Sequence, residues 1–169
     1  MKPTLLRRGA LLGAIAVLLS CTDRTRVTGP RGDLLSGLPL PIGLLTCTPL
    51  PSASVTQTVG PAGGIISVGV ATLMIPPGAL DSAVTITAVT PSDTVNRVQF
   101  QPQGLTFQQP TWLIMSYANC NNSGPTTPKQ IAYTDDLLVI LDLLPSLDDR
   151  AAQHVTGQLR HFSDYAIAW

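Results

Sequence analysis

Ala83-Val84-Thr85-Ile86-Thr87-Ala88-Val89-Thr90 alternates apolar and polar side chains without a break. In an extended chain successive side chains point to opposite faces, so Val84, Ile86 and Ala88 share one face. A helix would scatter the same residues around its circumference. The stretch therefore reads as a strand with one face turned to a core.

The pattern continues on both sides. Upstream, Val55-Thr56-Gln57-Thr58-Val59 alternates and runs into the turn cluster Gly60-Pro61-Ala62-Gly63-Gly64. Ile65 to Val68 and Ala71 to Ile75 follow as short strands. Pro76-Pro77-Gly78 stops the second, since proline supplies no donor to a ladder. Downstream, Arg97 to Gln101, Thr111 to Tyr117 and Gln130 to Tyr133 extend the series. Leu137 to Leu144 is an apolar run without helix caps, and reads as a buried strand. Gln153 to Leu159 and Phe162 to Ala168 close the chain. Eight to ten short strands with turns between them predict an all-β, antiparallel sandwich or barrel over residues 54–169.

Composition agrees. The chain has 169 residues, enough for one domain with additional segments. All ten acidic residues are Asp, and the only lysines are Lys2 and Lys129. The helix formers Glu and Lys are thus scarce, while Thr, Val, Ile, Gly and Pro abound. Residues 1–20 contain Lys2, Arg7 and Arg8; without them seven basic residues face ten acidic ones. A nucleic-acid binder needs a basic stripe, and the sequence has none.

The first twenty residues read as a signal peptide. Lys2, Arg7 and Arg8 precede the apolar run from Gly9 to Ser20. A spanning helix needs roughly 20 apolar residues, so this run is too short to stay as an anchor. Leu18-Leu19-Ser20-Cys21 resembles a bacterial lipobox. The resemblance implies diacylation of the Cys21 thiol and cleavage before it. Two or three acyl chains, at about 0.8 kcal/mol per buried methylene, would then hold the chain on a membrane. The flanks of Arg7-Arg8 fit a twin-arginine signal poorly, so general secretion is the expected route. The expected location is the bacterial cell envelope. Residues 21–53 hold Pro30, Pro39, Pro41, Pro49 and Pro51 among several glycines, and read as a tether with partial order at best. Leu34-Leu35, Leu38, Leu40 and Ile42 to Leu45 are apolar enough to pack on the domain or the membrane.

Three stretches carry a resemblance to a known module. Gly63-Gly64-Ile65 with Ala71 to Leu80 (ATLMIPPGAL) is similar to the opening hairpin and corner of the ZU-5 domain. Phe100 to Pro110 (FQPQGLTFQQP) is similar to its central connection, and His161-Phe162-Ser163-Asp164-Tyr165 to its closing strand. ZU-5 domains are β-sandwiches found in ankyrins, netrin receptors, tight-junction scaffolds and bacterial envelope proteins. The resemblance covers about two-thirds of the chain, from about Val59 to Trp169. It implies a β-sandwich acting as a noncatalytic protein-interaction or structural module. The spectrin contacts of the ankyrin version do not carry over.

The same resemblance marks His161-Phe162-Ser163, because some ZU-5 domains cut themselves between this Phe and Ser. Ser163 Oγ would attack the Phe162 carbonyl while His161 takes its proton, giving an ester that water hydrolyses. That chemistry also needs strain and donors for the oxyanion. The competing reading makes Phe162 a core residue and His161 and Ser163 partners of backbone groups at a bulge. Cys47 and Cys120 form an even pair once Cys21 is acylated, and oxidising conditions outside the cytoplasm would join them. Such a disulfide encloses roughly 75 residues and would stabilise by about 4 kcal/mol in the chain-entropy model; the alternative is two free thiols too far apart.

Other candidates read as structure. Asp135-Asp136 and Asp148-Asp149 lack the spaced oxygen pattern of a calcium loop, and read as solvated turns. His154 and His161 have no metal-ligand spacing. Gly60 to Gly64 lacks the lysine and helix of a phosphate loop. Trp112, Tyr117, Tyr133 and Trp169 are strand aromatics, expected in the core unless they line up on the surface for a sugar. No cofactor is expected. The leading functional expectation is an acyl-anchored interaction module meeting an envelope protein or polymer. Self-cleavage and carbohydrate or surface-polymer adhesion are the alternatives.

Overall fold

Alternating Thr and Val favours extended backbone, because branched side chains pack well on a pleated surface. The computed structural model describes residues 43–121 and 126–169, and in them the pattern becomes eleven strands and no helix. The signal peptide, Cys21 and the tether up to residue 42 lie outside the described residues.

The strands are β1 Ala53–Val59, β2 Gly64–Val68, β3 Ala71–Ile75, β4 Val84–Thr90, β5 Arg97–Gln101, β6 Thr106–Ser116, β7 Gln130–Thr134, β8 Ile140–Leu143, β9 Ser146–Asp149, β10 His154–His161 and β11 Asp164–Ala168. They form two sheets in the orders β1-β4-β5-β11-β7-β8 and β2-β3-β6-β10-β9. Every pairing is antiparallel. The inner faces supply one apolar core from both sheets, including Ile66, Leu73, Ile86, Phe100, Leu113, Leu159 and Ile167. On the outer face of the six-stranded sheet, Thr56 meets Thr87 at 2.9 Å and Thr58 meets Thr85 at 3.0 Å, hydroxyl to hydroxyl. The alternation of β4 thus divides as expected, with Ile86 and Ala88 fully buried.

Three local expectations are corrected. Leu137 to Leu144 does hold a strand, but β8 is an edge strand. Leu141 is exposed on β8, which pairs only with β7, and Leu137 and Val139 are exposed in the turn before it. The Phe100 to Pro110 connection is shorter than expected, since β6 already begins at Thr106. Pro110 is tolerated there because the β6–β10 ladder shifts register between Leu159 and His161. Asp148 is in β9 rather than a solvated turn, and its side chain is only 4% exposed.

Pairing also reaches back before Ser54. Leu44 bridges Ala168, Thr46 bridges Val95, and Leu45 is buried. Residues 43–48, here called the strap, take part in six backbone hydrogen bonds to Ile167, Trp169, Thr94, Asn119 and Asn121. Ordering such a segment costs about 6–12 kcal/mol of backbone entropy. Hydrogen bonds at about 1 kcal/mol each, with burial of Leu45 at about 2 kcal/mol, contribute about 8 kcal/mol in the other direction. The two sides nearly cancel.

Turn chemistry supplies a test of the corner after β1. Gly63 has φ +76°, and a Cβ there would lie 2.3 Å from the Ile75 carbonyl oxygen. Gly104 also has φ +76°, but a Cβ there meets nothing within 4 Å. Gly104→Ala is expected to cost only the left-handed penalty, about 1–2 kcal/mol. Gly63→Ala adds a backbone clash and should cost clearly more. Urea midpoints of the two variants should differ in that order; equal midpoints would contradict the described corner.

Candidate functional site

The chain changes sheets between β10 and β11, and the tripeptide His161-Phe162-Ser163 makes that crossing. Phe162 is buried between the layers. Its ring stacks on Phe100 with centroids 4.9 Å apart and meets Phe107 edge-on at 5.0 Å. The Phe162 amide donates to the Leu105 carbonyl at 2.7 Å. The amide of Gly104 donates to the Phe162 carbonyl at 2.9 Å, and the Phe100 amide to the Ser163 carbonyl at 3.2 Å. The β5–β6 turn therefore clamps both sides of the 162–163 peptide.

His161 is half-buried, edge-on to Tyr133 with centroids 5.2 Å apart. Its Nδ1 lies 3.4 Å from the Phe162 carbonyl oxygen. The phenol of Tyr165 donates to the His161 carbonyl at 2.6 Å. Burial first, then the neighbouring Tyr133 and Asp164, push the Tyr165 phenol far above its ordinary pKa. It stays a neutral donor. Asp164 Oδ2 accepts from Gln99 Nε2 at 2.7 Å, while buried Oδ1 has no partner. A shallow cavity of about 260 Å³, lined in part by Asp142, Gln158, Arg160 and His161, opens beside the crossing. The structure brings a scissile-type carbonyl, an amide donor and an imidazole together. Among the described residues no hydrogen bond joins His161 to the Ser163 hydroxyl, and none of residues 161–163 has a positive φ.

The second locus is the outer face of the five-stranded sheet. Register places Ile65 beside Met74, and Met74 beside Trp112. The three are 57%, 40% and 42% exposed. With Pro76 and Pro77 they line an apolar depression of about 390 Å³. Ser67, Thr72, Ile114, Thr156 and Leu147 form the next row across the same face. No charged side chain falls in either row from β2 to β6. Alternation anticipated the strands, but only their register reveals which outward apolar residues adjoin.

The other candidates separate. Cys47 and Cys120 are joined, with Sγ atoms 2.09 Å apart. Asp135 behaves as a turn residue, its Oδ1 accepting from the amides of Leu137 and Val139. Asp148 is a buried hub: it accepts from Tyr117 Oη at 2.6 Å, the Lys129 amide at 2.9 Å and Arg150 Nε at 3.3 Å. Nothing in the sequence pairs Tyr117 with Asp148. Of the four noted aromatics, Trp112 is exposed, Tyr117 is buried, and Tyr133 and Trp169 pack partly buried against the core. They do not line up. His154 is exposed and distant in register from His161, at the other end of β10. Among the described residues no group of three or more His, Cys, Asp or Glu could hold a metal ion.

No protein-family model matches the chain, and no characterised protein matches it in sequence.

The Tyr117–Asp148 pair has a measurable signature. Burial, then the hydrogen bond to the Asp148 carboxylate, pushes the Tyr117 phenol up to about 12. A folded-state value above the unfolded one means the unfolded chain gives up this proton first. The associated stability is complete below about pH 10 and is lost as pH rises towards about 12. Tyr165 acts in the same direction. Urea midpoints should fall between pH 8 and pH 11, and Tyr117→Phe should flatten that fall while lowering stability at pH 8 by about 1–3 kcal/mol. An unchanged alkaline slope would refute the assignment.

Proposed function

We propose that this chain is an acyl-anchored envelope protein whose ZU-5-like sandwich is a noncatalytic interaction module. The observation that carries the reading is the uncharged apolar row Ile65, Met74 and Trp112, three adjoining residues exposed on one outer sheet face. Adjoining large apolar residues left on a sheet face mark a contact surface more often than scattered ones do. The lipobox-like Leu18 to Cys21 supports the anchor, and the motif stretches around Ile75, Phe100 and His161 support the ZU-5 likeness. The partner is an envelope protein or polymer.

Two measurements test this reading in cells. Labelled palmitate should enter the chain, and Cys21→Ser should abolish both labelling and removal of the first twenty residues. A photo-crosslinking side chain placed at Met74 should give a discrete adduct, while one at Thr87 on the opposite outer face should give none. An unlabelled parent chain, labelling that survives in Cys21→Ser, or equal crosslinking from both faces would overturn the proposal.

A second reading is favoured by one observation: the Gly104 amide already points at the Phe162 carbonyl oxygen at 2.9 Å. An amide there would stabilise the oxyanion if Ser163 attacked. The chain would then be self-cleaving between Phe162 and Ser163, with β11 retained in the sheet by β5 and β7. Mass spectrometry of the purified chain under denaturing conditions decides it. Cleavage gives a fragment of residues 163–169 that Ser163→Ala abolishes; a single uncut mass in both chains removes the reading.

A further inference from the structure

Cys47 sits in the strap and Cys120 in the connection after β6, so their bond fastens the start of the folded unit to its interior. Around it an amide cluster holds the same two segments. Asn96 and Asn119 exchange side-chain hydrogen bonds at 2.7 and 3.1 Å, Asn96 Nδ2 donates to the Ser116 carbonyl, and Asn119 Nδ2 donates to the Thr48 carbonyl at 2.7 Å. The cluster fixes Asn119 and Thr48, but the rest of the strap depends on hydrogen bonds that barely offset its ordering. Leu45 and Cys47 add to the core from the strap, but the β6–β10 pairing does not pass through it, since those strands are paired in their own sheet along most of their length.

We propose that the Cys47–Cys120 disulfide is a redox latch: its reduction frees residues 43–47 from β11 and Thr94 while Thr48 stays on Asn119 and the sandwich stays folded. Cys47 is only 5% exposed and Cys120 is half-buried, so attack at Cys120 is the less hindered course. A dithiol reductant attacks there, Cys47 leaves as thiolate and takes a proton, and the second thiol of the reductant resolves the mixed disulfide. One S–S bond breaks in the chain and one forms in the reductant, with two electrons and two protons transferred. Release adds five residues, about 17 Å, to the tether. That last consequence rests on the acyl-anchor reading; the latch does not.

Hydrogen exchange on the full chain tests it, comparing the oxidised protein, the protein reduced and alkylated, and the Cys47→Ser/Cys120→Ser variant. Peptides spanning 43–47 should exchange about tenfold faster or more without the bond, while peptides spanning 111–116 keep their protection. Unchanged exchange in the strap would show that it holds without the bond, and would overturn the latch. Equal acceleration in both regions would show that the bond holds the whole fold, and would overturn it too. Cys21→Ser chains should give the same exchange pattern, so failure of the anchor and failure of the latch are told apart.

Discussion

Phe162 is wedged between the two sheets where the chain passes from one to the other, and much of the molecule is arranged around that wedge. Phe100 on β5 and Phe107 on β6 grip the ring from the two layers. The turn between those strands gives its Gly104 and Leu105 backbone to the same residue. Losing a buried aromatic of this kind costs about 3–5 kcal/mol, a large part of the stability of a domain this size. Because the ring fixes the crossing, β11 enters the middle of its sheet with all five residues buried.

The same wedge sets what chemistry the crossing can do. It holds the Phe162 carbonyl against the Gly104 amide at 2.9 Å. It also places His161 Nδ1 3.4 Å from that same oxygen. Phe162 therefore fills the core place expected of it, and the His161 ring nitrogen meets a backbone carbonyl as a packing role asks. An interaction surface makes no such demand. It needs only exposed apolar area on a rigid support, and the five-stranded sheet supplies that with Trp112 on its central strand.

Much of this architecture was legible in the sequence, for a physical reason. A strand with one wet face writes its period into the chain, so β4 and β5 were read almost residue for residue. β9 was missed because its inward residues are Ser146 and Asp148, whose polar groups are satisfied by hydrogen bonds rather than by apolar burial. The exposure of Leu141 was missed because an apolar run does not say whether a second neighbour strand will arrive, and that of Leu137 and Val139 because the run hides the turn that Asp135 makes. At the candidate site, His161, Phe162 and Ser163 were legible as a motif. Their partners Gly104 and Tyr133 were not, since contacts made across a sandwich leave no local pattern. The sequence also could not decide whether Cys47 and Cys120 meet; that depends on the strap bridging the sheet end.

The main chains of Gly43 and Trp169 bond to each other at 3.1 and 3.3 Å, so the two ends of the folded unit are neighbours. A few added residues would join them into a ring. New termini could then be opened at the exposed Pro61-Ala62 hairpin without disturbing the order of strands. A reporter fused after Trp169 would sit beside Gly43, at the opposite end of β11 from the Phe162 crossing.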